Sequence, residues 1–266
     1  MKNINTTKTL LIIVTAITLF SCKKDTIVEQ TPAITEPTTT TVKLNFTNVV
    51  DNSVLKISSD DAYTITTPKY LNEFGDTFAV SSFKYYISNI KLKKSNGTYF
   101  VEPESYHLID AGDTNTTCKI NIANVPIDNY VSIEFLLGID STRNVSGSQT
   151  GDLDPANGMY WAWNQGYIFM RFFGYSSYAP QNISHNITYE IGEYTSASKI
   201  SLPFASTNFN SQNNGNSIIY LKSNLAEVFK SPNNISFNQL NIAMVPRHFR
   251  PLVENYGDMF SIEAIK

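Results

Sequence analysis

Thiols, imidazoles and charge are all scarce in this chain of 266 residues. There are two cysteines, Cys22 and Cys118, and three histidines, His107, His185 and His248. Twenty Lys and Arg stand against 23 Asp and Glu, a formal net charge of −3. No basic cluster longer than Lys93-Lys94 stands out, which argues against a nucleic-acid partner. H-E-x-x-H, C-x-x-C and the Walker loop are missing, and with them the metal, redox and nucleotide chemistries they carry. Gly147-Ser148-Gln149-Thr150-Gly151 resembles a nucleophile elbow but has Gln149 where the nucleophile belongs. With no nucleophile–base motif, the expectation is that the chain is not itself an enzyme. Alternating helix patterns are also missing, which argues against a parallel α/β sheet, and no repeat recurs at a solenoid or propeller period.

What is present begins with an export signal. Lys2 and Lys8 lie in a short basic stretch ahead of the apolar run Leu10 to Phe20, which is too short to span a bilayer stably. Leu19-Phe20-Ser21-Cys22 then resembles a bacterial lipobox, with an apolar residue three positions before the cysteine and a small one directly before it. The reading is a lipoprotein signal peptide over 1–21 and lipidation of Cys22. More than one acyl chain there gives stable membrane anchoring. The expected location is the outer membrane, facing the periplasm or the cell surface. Residues 22–41, with Pro32, Pro37 and a threonine tract, form a polar tether that cannot pack a core.

If Cys22 is acylated, no second thiol is left for Cys118 to form an internal disulfide. Cys118 alternates with Ile120 and Ile122 in CKINIA, so it reads as a buried strand residue, with a thiolate metal ligand as the alternative.

Residues 42–266 read as one domain of short strands and polar turns. TVKLNFTNV places Val42, Leu44 and Phe46 on one face. In Thr77 to Lys94 the period-2 pattern slips phase near Tyr85-Tyr86, as at a bulge. NITYEI, SKISLPF, SIIYLK, ISFNQL and FSIEAI continue the strand pattern downstream. Two short helices are expected: Leu225 to Phe229 with Asn224 as N-cap, and Pro251 to Tyr256 with Pro251 in the first turn. Together these predict an all-β fold, an antiparallel β-sandwich of the immunoglobulin-like kind with a long ordered aromatic loop.

That loop lies between the strands Tyr130 to Leu137 and Gly166 to Gly174. A connection of more than 20 residues is usually functional or disordered. Met159, Tyr160, Trp161 and Trp163 carry too much apolar surface for disorder. Asp152 to Gly158 has the oxygen density of a calcium loop, but Pro155 and Ala156 stand where ligands are needed and no glutamate closes it. Asp154 capping a helical turn that starts at Pro155 fits better. His107 in YHLID and His185 in ISHNITYEIG read as strand histidines, structural hydrogen-bonders or copper and zinc ligands if the fold brings them together. His248 reads as solvent-facing.

GIDSTRN (Gly138 to Asn144), GDLDPANGM (Gly151 to Met159) and WAWNQGYIF (Trp161 to Phe169) resemble the signature of the MbnP-like family, methanobactin-associated periplasmic copper-binding proteins, in a Bacteroidetes-type lipoprotein branch. FKYYISNIKL, YHLID and ENYGDMFS are similar to further family segments in the same order. The resemblance implies copper, held by histidines together with a tryptophan that a partner dihaem peroxidase of the MauG type oxidises to kynurenine. Carried over, that tryptophan is Trp161 or Trp163, and the metal set is drawn from His107, His185, Glu190, Trp161 and Trp163. Two positions depart from the pattern. Val145 follows Asn144 where methanotroph members have histidine, and Glu190 stands where a later family segment has another. An alternative function is a metal-free module whose aromatic loop contacts a glycan or a partner protein.

Overall fold

The computed structural model describes residues 38–58, 69–113, 118–163, 166–204, 209–211 and 217–266. The signal peptide, Cys22 and the tether through residue 37 lie outside these residues. Among the described residues no helix is long and apolar enough to cross a membrane.

The longer strands are β1 (Thr39–Val50), β2 (Thr77–Lys94), β3 (Tyr99–Val101), β4 (Tyr106–Asp110), β5 (Lys119–Pro126), β6 (Asn129–Leu137), β7 (Gly166–Tyr175), β8 (Asn186–Gly192), β9 (Ser198–Pro203), β10 (Ser217–Asn224) and β11 (Phe260–Ile265). β1 starts inside the stretch read as tether, because Thr39 and Thr40 pair with Pro126 and Val125. Among the described residues, two helices, α1 (Ser141–Asn144) and α2 (Pro246–Asn255), several 3-10 turns and five two-residue strands make up the rest of the regular structure. The expected all-β sandwich is what forms. Among the described residues it is antiparallel except where β1 runs parallel to β10, where Thr188-Tyr189 pair with Ile242-Ala243, and at the single Ile57–Val80 bridge.

One sheet places β1 between β10 and β5, with β11 outside β10. The other is built on β2, and its register explains the long loop. Lys84 pairs with Arg171 of β7 on one side and Asp110 of β4 on the other. Ile87 pairs with Leu137 of β6 on one side and His107 of β4 on the other. β6 and β7 therefore lie end to end along the same edge of β2. The next row repeats the break, for β8 closes with Gly192 opposite Ile168 and β9 opens with Ser198 opposite Leu137. The sheet thus has a seam across two rows, and the loop rises from it.

Alternation along β2 sends neighbouring side chains to opposite faces. Tyr85 points between the sheets, where it meets Phe46, Phe83 and Phe260. Tyr86 points outward, yet both tyrosines are 0% exposed. The loop covers the outer face: the Tyr86 hydroxyl donates to the Asp152 carbonyl at 2.8 Å, and its ring packs edge-on against Tyr167. Burial on both faces is what blurred the alternation at Tyr85-Tyr86. The irregularity itself lies a few residues on, where Asn89 has φ 53° and the β2–β6 register shifts between Ser88 and Lys91.

Two other expectations are corrected. ISFNQL is not a strand: Phe237 N–H bonds the Asp76 carboxylate, and Gln239 and Leu240 N–H both turn back to the Ser236 carbonyl. α2 begins at Pro246, not Pro251, which lies inside it. Pro246 is the proline that meets the requirement for a first-turn residue without an N–H donor. The Leu225–Phe229 turn forms as a 3-10 helix with Asn224 accepting from Ala226 N–H, as read.

Candidate functional site

The described part of the loop, residues 138–163, is pinned at both ends. At its start, Gly138 N–H bonds the Tyr86 carbonyl at 2.9 Å. Gly138 has φ +117°, and a Cβ there would stand 2.6 Å from the Phe169 ring, so only glycine fits. Asp140 then caps α1 by accepting from Arg143 N–H. Its other oxygen accepts from the Tyr106 hydroxyl and from Asn89 Nδ2. Burial pushes the Asp140 carboxyl up, but these donors outweigh it and hold it below the usual carboxylate range. The same pairing works in reverse on Tyr106: burial first, then the Asp140 carboxylate, raise its phenol to about 12.

Asn144, 7% exposed, closes α1 and accepts from Tyr167 N–H at 2.9 Å. The Tyr167 hydroxyl in turn donates to the Leu153 carbonyl at 2.9 Å. Asp154 caps the turn Pro155–Asn157 by accepting from Ala156 N–H, and Gly158 ends it at φ +74°. Arg171 Nη1 donates to the Gly158 carbonyl at 2.9 Å, with its guanidinium 4.1 Å over Phe173. Tyr160 and Trp161 then pair back onto Tyr167 and Gly166.

At the seam this path sets Trp161 over β8. A Cβ on Gly192 would stand 2.5 Å from Trp161 Cζ3, so the indole lies directly on the Gly192 backbone. Trp161 is 4% exposed and its Nε1–H donates to Glu190 Oε2 at 2.8 Å. Glu190, 9% exposed, lies opposite Arg171 in the β7–β8 register. Trp163 is 65% exposed and packs on Trp161 with ring centroids 5.4 Å apart and planes at 39°. A buried indole, its carboxylate acceptor and an exposed indole form one stack from core to solvent.

The structure therefore brings together Trp161, Trp163 and Glu190, and places His107 and His185 elsewhere. His107 Nε2 is 2.9 Å from Glu102 Oε2 on the far edge of β2. His185 has φ 61° and its Nδ1 is 2.6 Å from the Ala179 carbonyl, beyond the Tyr175 end of β7. Five residues of strand separate it from Glu190, about 16 Å. Each histidine thus has one ring nitrogen at hydrogen-bond distance from a neighbour outside the stack. Cys118 is buried just ahead of β5, accepting from Asn48 Nδ2 at 3.4 Å. Among the described residues no three His, Cys, Asp or Glu side chains gather closely enough to hold a metal. The stack as it stands does not fit copper: indole Nε1 offers a hydrogen and no lone pair, and Glu190 alone is a single hard ligand.

Residues the sequence did not single out are Arg171 and, for the roles they take here, Asn144 and Gly192. Asn144 lies in the GIDSTRN block, and that position was the available signal. Gly192 closes the Tyr189-Glu190-Ile191-Gly192 segment that resembles a family segment, and its lack of a side chain admits the indole.

The fold and the seam define a β-sandwich carrying a tryptophan loop on its outer face. The family model of MbnP matches residues 39–245, and the chain belongs to the MbnP family. Among solved structures it is similar to MbnP from Methylosinus trichosporium, with a TM-score of 0.54 and 13% sequence identity over 85% of this chain and 99% of that one. At that identity the likeness is one of fold. No curated protein sequence matches the chain.

Proposed function

We propose that this protein is a membrane-anchored copper-binding lipoprotein whose metal site is not present in the chain as translated and is made by oxidising Trp161. The observation that carries the reading is the Trp161 Nε1–Glu190 contact of 2.8 Å. It holds the one nitrogen that ring opening to kynurenine would turn into an amine beside a carboxylate. Trp161 is the better substrate of the two because its nitrogen has a fixed partner, while Trp163 is the exposed neighbour. The oxidation falls to a partner of the MauG dihaem class. Lipidation at Cys22 would hold the domain on the outer membrane within that partner's reach.

The test is metal analysis of protein isolated from its native host beside protein made in a heterologous host without the partner. The reading expects copper in the first and none in the second. Native protein with an intact Trp161 and no copper overturns it. Trp163, at 65% exposure, supports a second reading in which the loop is a contact surface for a glycan or a partner protein. Under that reading Trp163→Ala abolishes ligand capture by native protein that carries no copper.

A further inference from the structure

We infer that Trp163, Trp161 and Glu190 form a one-way oxidation relay, in which Trp163 receives an outside one-electron oxidant and Glu190 takes the proton released by Trp161. The inference rests on the reading that Trp161 is the residue oxidised, and adds how its electron and proton leave.

Trp161 is 4% exposed, so a bulky oxidant cannot reach its ring directly. Trp163 is 65% exposed and near contact with it, at 5.4 Å between centroids. A radical cation on Trp163 forms where water can solvate the charge. The same cation on Trp161 would be a charge in a low-dielectric interior, which is costly unless compensated. Glu190 compensates it. The Trp161 Nε1–H bond already points at Glu190 Oε2 over 2.8 Å. Passing the proton along that bond converts a buried cation and a buried carboxylate into two neutral groups.

An oxidant of the high-potential metal-complex class, such as a ferryl haem, is reduced by one electron drawn from the Trp163 indole. The Trp163 radical cation takes one electron from Trp161 and is restored. The Trp161 N–H bond breaks, its proton moves to Glu190, and a neutral indolyl radical remains. This geometry also gives Glu190 a reason to be a carboxylate: a glutamine there keeps an acceptor oxygen for the indole but cannot take the proton.

The test needs no partner enzyme. Photogenerated tris(bipyridine)ruthenium(III) serves as oxidant on the purified protein, with the radical identified by transient absorption and electron paramagnetic resonance. Wild-type protein should give a neutral radical at Trp161, formed with a solvent deuterium isotope effect. Trp163→Phe should lose most of the Trp161 radical. Glu190→Gln, with unchanged near-ultraviolet circular dichroism, should give a radical cation or no radical at Trp161. Equal yield of the neutral radical in either variant, or its formation in the wild type with no isotope effect, overturns the relay. If Glu190→Gln fails to fold, the isotope effect and the Trp163→Phe yield still decide. A working relay in protein whose native form carries intact tryptophans would sink the reading above and leave the relay standing. A kynurenine in native protein without a relay would do the reverse.

Discussion

Tyr85 and Tyr86 are neighbours on one strand and equally buried, but they are buried by different things. Tyr85 lies under a second sheet, in an aromatic core that continues through Phe78, Phe172, Phe229 and Phe237 at centroid distances of 5.2 to 6.1 Å. Tyr86 lies under a loop held by single polar side chains: Asp140, Asn144, Asp152 and Arg171. The inner core is held by many non-directional contacts, and the loss of one is shared among its neighbours. The outer layer hangs on a few hydrogen bonds, each with one replaceable end. The inner core therefore sets global stability. The outer layer can open by itself, as low-stability functional segments do.

The largest expected effect is in the inner core. Phe172→Ala removes a fully buried ring packed against Phe78 and Phe229, and should cost about 3–5 kcal/mol in urea denaturation. A loss no larger than that of a loop variant would break the distinction between the two layers. Next comes Asn144→Ala, which leaves the buried Tyr167 N–H without its acceptor and should cost about 1–3 kcal/mol. Here hydrogen exchange should speed up across the loop, over 138–163, while β1 and β10 stay protected. Uniform acceleration across both sheets would mean that the loop is part of the main cooperative unit.

Acid sharpens the contrast further. Asp140 is held below its ordinary carboxylate range in the folded state. A depressed folded value means the ionised form is the stabilising one, so its contribution is complete at neutral pH. It is lost as the pH falls below the ordinary value of about 3.9 and through the folded one. Loop exchange should rise in that window ahead of any loss of the inner core, and Asp140→Asn should remove that step. The smallest effect belongs to Trp163→Ala, which should stay within about 0.5 kcal/mol of wild type by thermal melting because the side chain is largely in water. A larger cost would make Trp163 part of the packing.

The sequence made most of the strands legible where one face is wet, as in β1, where Val42, Leu44 and Phe46 are buried and alternate with half-buried neighbours. It blurred where both faces are covered: at Tyr85-Tyr86, and in β7, whose first five residues are all buried. ISFNQL misled because a short apolar run looks the same whether its N–H groups meet a strand or the Asp76 carboxylate. At the site, the aromatic loop and its two tryptophans were visible, and the family likeness pointed to Glu190. The Trp161–Glu190 bond was not, because it spans 29 residues and exists only through the seam between the β6–β9 and β7–β8 pairs. Sequence can offer histidines as ligands, but only the register shows His107 and His185 on rows about 26 Å apart along β2, opposite Ile87 and beyond Ala79.

On the proposed function the lasting oxidation product forms on Trp161 and not on Trp163. Peptide mass mapping of protein from the native host tests it most directly. The expected result is the mass gain of kynurenine on Trp161 with Trp163 unchanged. A gain confined to Trp163, or two unmodified tryptophans, would contradict it.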